Sequence, residues 1–374
     1  MSDDFFIRPL GNFCALLAMD NECPMIHWSI YKLSSSSSDF LALIFSNRSA
    51  SYYQCTQWQQ AVDDANQVIQ IRPDWPKAEA LVQLEKYDEA LENYYIAKKK
   101  DPQNHQISLR IAKALILKDN VSMGLEIYTL VPGRDICLTK NSITSPIQKR
   151  IHDFAIDMKN LIHLIVDIET KKCIVVDACW DVDGILKYIK KKNLELVGAI
   201  VTHYHFDHVG GSPPAPYDQL PIKVSGLYNL MKQIPTLPCY INPLDLPYIL
   251  KSNSNLIEFQ HRIITTTNQY ILRLGKSTLL KFLHTPGHTE GSQSVLVNET
   301  RLFTGDVIMC GCSGRVDLPG GDQREMKKTL RERLARLDDR VVVFPGHDYG
   351  GGWTTIGLEK RKGVIGKFKK HLSV

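Results

Sequence analysis

The sequence predicts an α+β domain over residues 121–374, preceded over residues 1–120 by an all-α region. Three observations carry that reading. Small and aromatic residues in the first third recur at helical spacing, with prolines where helices should stop. From about Tyr128 the pattern changes to short apolar runs alternating with amphipathic segments. Four of those runs lead into a Gly-containing turn or loop bearing His or Asp, so nitrogen and oxygen donors gather at strand ends.

In the helical region, Trp58, Ala61 and Pro73 recur as Tyr87, Ala90 and Pro102. The pattern resembles the tetratricopeptide repeat, a helix–turn–helix unit of 34 residues. Here the two prolines are only 29 residues apart, and the deficit falls between Lys77 and Tyr87. Losing five residues from a helix removes more than one turn and rotates the remaining face, so either the repeat packs irregularly or the sequence carries a deletion there. In co-chaperone relatives a basic and polar clamp holds the C-terminal carboxylates of heat-shock chaperones. The resemblance places Arg8, Asn12, Asn47 and Lys77 at comparable positions, while Leu81 stands where a last Arg is expected. A chaperone C-terminus is the partner this implies.

The second domain is organised around Val201-Thr-His-Tyr-His-Phe-Asp-His-Val-Gly-Gly211. Glu195–Thr202 before it reads as a buried strand, which puts His203, His205, Asp207 and His208 on a loop at its C-terminal end. Three imidazoles and a carboxylate this close suit a borderline divalent ion such as zinc or iron. His203 and His205 can clamp one ion, whereas adjacent Asp207 and His208 should diverge towards a second. Upstream, Leu161–Asp167 and Cys173–Asp177 read as two strands, with a helix from Asp183 to Lys192. Asp177 ends its strand where it could orient a ligand. Downstream, three strands run into Thr285-Pro-Gly-His288, Gly305-Asp306 and Pro345-Gly-His347-Asp-Tyr349.

Together, HYHFDH, TPGHT, FTGD and PGHDYG resemble the metallo-β-lactamase superfamily over about residues 128–357. The resemblance implies an αββα sandwich with two metal ions, zinc or alternatively iron, at one edge. One ion would take His203, His205 and His288; the other would take Asp207, His208 and His347, with Asp306 bridging. It further implies hydrolysis of a thioester or small ester by a metal-bound hydroxide beside Asp207, as in glyoxalase II. Arg315, nine residues past Asp306, and Tyr349 match glutathione-contacting positions of that enzyme, although its C-terminal helical domain has no counterpart here. A second implied activity is that of persulfide dioxygenases, which hold one iron by the equivalents of His203, His288 and Asp306. A third reading is a repeat-mediated binding protein on an inactive hydrolase fold. Seven polar groups that would be costly to bury without function weigh against it.

Composition narrows the class. A net charge of +5 in 374 residues gives no reason to expect nucleic acid, and the basic tail from Lys360 reads as a solvated helix end. The N-terminal MSDDFF does not read as a secretory signal, and no apolar run is long enough to span a bilayer. The nine cysteines form no CxxC pair. The expectation is a cytoplasmic protein with reduced thiols and no membrane contact.

Overall fold

The computed structural model describes residues 87–100, 110–111, 114–116, 118, 123–138, 145–214 and 223–366. The chain divides into two compact units, Met1–Asp119 and Asn120–Val374. In the first unit the helix α1 (Tyr87–Lys100) buries Ala90, Leu91 and Tyr94 with Ala114, against Ile111. The spacing of these α1 residues is that of one helical face. The repeat reading rests mostly on positions outside the described residues, and so do Asn12, Asn47 and Lys77.

In the second unit two six-stranded sheets form. The first runs in the order β1 (Leu125–Leu130), β2 (Ile162–Asp167), β3 (Lys172–Val176), β4 (Glu195–Ile200), β5 (Cys239–Ile241), β6 (Ile263–Thr265). Its first three strands are antiparallel and its last four parallel. Between its strands the chain makes α2 (Pro146–Met158), α3 (Val182–Lys191), α4 (Phe206–Val209), α5 (Leu227–Gln233) and α6 (Leu246–Ser252). The second sheet follows in sequence as β7 (Ile271–Leu274), β8 (Thr278–His284), β9 (Gln293–Val297), β10 (Arg301–Gly305), β13 (Val342–Pro345) and β14 (Thr354–Thr355). In space its order is β14-β13-β10-β9-β8-β7. A small hairpin, β11 (Ile308–Met309) and β12 (Cys312–Ser313), follows β10, and α7 (Gln323–Lys328) and α8 (Ile356–Lys362) complete the domain.

The alternation of side chains along each strand explains the layering. In β2, Ile162, Leu164 and Val166 join Val175, Ala199 and Cys239 in a core that also takes Ala155 of α2 and Ile185 and Ile189 of α3. The intervening His163 faces the other way, packing edge-on against Phe303 and Phe344 of the second sheet at 5.2 and 5.7 Å. On the far side Leu302 and Val343 pack with Met326 of α7 and Ile356 of α8. Helices therefore cover both outer faces, and the sheets meet in the middle, the αββα arrangement. Strand β2 is buried along its whole length, which is why apolar residues dominate both of its faces.

Asp167 pins the two sheets at the end of β2. Its buried carboxylate accepts from the Thr170 amide (3.0 Å) and hydroxyl (2.7 Å), and from the Ser277 amide (2.8 Å) and hydroxyl (2.7 Å). Burial alone would raise this carboxyl, but the donors from Ser277 and Thr170 outweigh it and hold it well below the usual range. Asp167→Ala should lower stability by about 2 kcal/mol, since several partly buried donors lose a charged acceptor. A depressed folded value means that the contribution is complete above the unfolded value of about 3.9 and fades as pH falls through the folded one. Urea unfolding of parent and variant should show a gap that is constant from pH 7 to 5 and closes in acid; a gap that widens in acid would refute the assignment.

A candidate metal centre at the sandwich edge

The ends of β4, β8, β10 and β13 deliver their polar residues to one place. After β4 the chain does not stay a loop, as the sequence suggested, but makes the single helical turn α4, with His205 at its N-cap. Gly210 ends that turn at φ +79°, and a Cβ there would lie 2.7 Å from the Gly226 Cα, so only glycine fits. Gly305 and Gly346 are tied by a 2.8 Å backbone hydrogen bond, which sets Asp306 and His347 side by side.

His203, His205 and His288 bring one ligand atom each within 4.8 Å of one another, as do Asp207, His208 and His347. His203, His208 and Asp306 form a third, overlapping trio. Adjacent Asp207 and His208 do not diverge: Oδ2 of the first lies 3.4 Å from Nε2 of the second. The tight turn of α4 and the length of the imidazole bring the tips back together. Asp306 spans the cluster, with Oδ2 at 3.5 Å from His288 Nε2 and 3.4 Å from His347 Nε2. Its Oδ1 is buried and has no hydrogen-bond partner.

The far side of the rings decides what the near side offers. His288 Nδ1 donates to the Arg315 carbonyl at 2.7 Å, and His347 Nδ1 donates to the Met158 carbonyl at 2.7 Å. His208 Nδ1 donates to Asp177 at 2.9 Å. Thr202 gives its hydroxyl proton to Asp177 at 2.7 Å, so it receives the His203 Nδ1 proton at 3.0 Å. Each of these rings is thereby held in the tautomer that turns an Nε2 lone pair towards the cluster. Nitrogens face one another at 3.0 to 3.2 Å across the gap. Converging lone pairs repel unless a proton or a cation lies between them.

Electrostatics divide the cluster. Burial, then neighbouring imidazoles, hold His203 well below its ordinary value, and burial with His288 brings His205 down to about 4. At His208 and His347 burial pushes the same way, but Asp306 and Asp207 outweigh it, and His347 is raised to about 10. The carboxylates of Asp207 and Asp306, despite burial, stay well below their usual range. The site demands positive charge between its carboxylates. A divalent ion with N and O ligands, of the zinc or iron class, satisfies that demand along with the orphaned Asp306 oxygen and the fixed Nε2 atoms. Its binding would release the protons that otherwise sit there.

Arg315 and Tyr349 flank the cluster. The Arg315 carbonyl holds His288, while its exposed guanidinium makes a bidentate pair with Asp317 at 2.8 and 2.7 Å. Tyr349, half exposed, stacks on the His347 ring at 4.7 Å. Sequence reasoning did not find Asn160, which donates to the Asp207 carbonyl (3.0 Å) and carboxylate (3.1 Å) and accepts from the Trp180 indole. Nor did it find Thr202, or Cys179, whose thiol meets the Asp207 carbonyl. None of these sits beside a ligand motif except Thr202, next to His203.

Asp177 is the hub behind His208 and His203, taking the Thr202 amide at 2.7 Å as well. Asp177→Asn puts a donor where three donors already point. Zinc affinity should fall about tenfold or somewhat more, measured by competition with a chelating dye. An unchanged affinity would remove Asp177 from the site.

Comparison with known proteins agrees with this geometry. Residues 160–216 and 227–347 match the model of the metallo-beta-lactamase superfamily. A hydroxyacylglutathione hydrolase, GloC, of Haemophilus influenzae is 30% identical over 195 residues, which are 52% of this chain and 86% of that protein. The chain belongs to the metallo-beta-lactamase superfamily. A further superfamily relative is PksB of Bacillus subtilis, named as a probable polyketide biosynthesis zinc-dependent hydrolase, 27% identical over 51% of this chain and 74% of its own. Among solved structures, ETHE1 from Myxococcus xanthus is similar at 24% identity and a TM-score of 0.43, covering 55% of this chain and 78% of that one. No helix among the described residues is long and apolar enough to cross a membrane.

Proposed function

We propose that the chain hydrolyses a thioester or a related small ester with two divalent ions, zinc by preference, held by His203, His205, His288 and by Asp207, His208, His347, with Asp306 between them. The observation that carries this reading is the convergence of Nε2 lone pairs on two carboxylates, with every far-side nitrogen of His203, His208, His288 and His347 already committed. A bound ion supplies a water of lowered pKa and polarises the carbonyl of the substrate. Asp207, kept ionised, offers a carboxylate acceptor that would orient such a water by a hydrogen bond. Asn160 fixes the carboxylate by its 3.1 Å hydrogen bond to Oδ2, so the acceptor does not rotate away. A thiolate leaves without protonation, so no strong general acid is required.

Tyr349, on the open side of His347, and Arg315 are the residues we assign to substrate. The Arg315–Asp317 pair is exposed on both sides, and an exposed pair is weak enough to open for a substrate carboxylate. The similarity to a hydroxyacylglutathione hydrolase over most of its length supports a thioester of that kind. The test is to strip the metal, reload with zinc or iron, and follow an acyl-glutathione thioester and a glutathione persulfide in parallel. Thioester hydrolysis restored by zinc, with one bound ion and most activity lost in His208→Ala, is the expected result. Oxygen uptake with the persulfide on a single iron would replace this reading with the dioxygenase.

A further inference from the structure

Outside the histidine–aspartate centre, a second set of ligand-type side chains comes together: Cys137, His152 and Asp181 bring one ligand atom each within 4.8 Å. They arrive from three segments, the loop after β1, the buried face of α2 and the N-cap of α3. Cys137 is completely buried and His152 is 3% exposed. His152 Nδ1 is buried with no hydrogen-bond partner. An unpaired buried nitrogen costs about 1–3 kcal/mol, so its persistence asks for a ligand.

The other two donors are fixed in place. Asp181 Oδ1 accepts the Gly184 amide and Oδ2 the Cys137 amide, both at 2.8 Å, so the carboxylate cannot swing away. Cys137 has φ +55°, a left-handed backbone that few non-glycine residues adopt. Its loop is tied by Asp135 to the Val131 amide at 2.9 Å and by the Gly133 amide to the Ile136 carbonyl at 2.7 Å. A nucleophilic role does not suit this thiol: burial, and then Asp181, push it far up, so it stays protonated. A cation is what would change its state. Sulfur, nitrogen and oxygen donors together select zinc-class ions over magnesium or calcium, and a thiolate with a carboxylate balances a divalent charge.

We propose that Cys137, His152 and Asp181 form a structural site for a zinc-class divalent ion, which staples the loop after β1 and helix α2 to the start of α3. Binding exchanges the thiol proton for the metal: the S–H bond breaks, a sulfur–metal bond forms, and the proton leaves to solvent. No electron is transferred. The staple sits on the segment Asp177–Asp181, whose Asp177 and Trp180 hold His208 and Asn160, so it would also steady the larger centre from behind.

Cobalt distinguishes this site, because the larger centre has only nitrogen and oxygen donors. Full-length protein, stripped by chelation and titrated with Co²⁺, should develop one thiolate-to-cobalt charge-transfer band per chain in the near ultraviolet. That band should vanish in Cys137→Ser and in His152→Gln and persist in His347→Ala. No band in the parent at saturating cobalt overturns the proposal, and so does a band that survives in both variants. Should either variant fail to fold, X-ray absorption of the zinc-loaded parent decides. A sulfur shell at about 2.3 Å supports the site, and a shell of nitrogen and oxygen alone overturns it.

Discussion

An Asp306→Ala variant should lose both ions of the histidine–aspartate centre together, and its hydrolytic rate should fall by on the order of 10³-fold. The reason is position. One carboxylate oxygen lies within 3.5 Å of His288 and His347, and the other lies 3.4 Å from His208. Removing it deletes a negative charge that both trios share, in a buried setting where charge interactions are strong. It also leaves His208 and His347 with less reason to face inward, since Asp306 is the first of the charges that hold them there against burial. Metal analysis after gel filtration, paired with kcat/KM on a thioester, checks this. Retention of one ion with near-parental turnover would mean that the carboxylate serves a single trio.

Gly346→Ala should be nearly as damaging, by at least about 100-fold in kcat/KM, with a native circular dichroism spectrum. A Cβ on Gly346 would stand 2.5 Å from Asp306 Oδ1 and 2.8 Å from His208 Cε1. Neither atom is the end of a flexible side chain with somewhere to go, since His208 is anchored to Asp177. The ligands must shift by a few tenths of an ångström or more, and displacements approaching 1 Å can cost about 10²-fold. Gly352→Ala, where an added Cβ meets nothing within 4 Å, is the matched control. Equal activity in the two variants would show that the ligands tolerate the crowding.

Much of the second unit was legible because its signals are local. The β-branched run before His203 becomes β4, the runs at residues 161–167 and 173–177 become β2 and β3, and the amphipathic stretch from Asp183 lies in α3. The donor side chains that converge could be picked out for the same reason: strand, turn and donor are contiguous in sequence. What sits behind the ligands could not. Asn160 reaches Asp207 from 47 positions away and Trp180 reaches Asn160 from 20, and no periodicity marks such residues. The single turn of α4 was too short to outweigh the glycines that follow it. For Arg315 the residue type suits a substrate carboxylate and a bridge to Asp317 alike, and the structure shows the bridge, to a carboxylate two positions on in the same exposed loop.

Each trio of the larger centre draws on both sheets. His203 and His205 follow β4 and Asp207 and His208 lie on α4, whereas His288 and His347 come after strands of the second sheet. Metal bound there would act as a clasp on the seam of the sandwich, resisting separation of its halves. An ion at a hundredfold excess over its Kd adds about 2.7 kcal/mol to such a closure, a sizeable part of what a domain has in total. The metal-free chain, with carboxylates and imidazoles left to trade protons along that seam, would open more often and would offer its ligand loops to proteases. Metal supply would then govern how long the folded chain survives, apart from how fast it turns over.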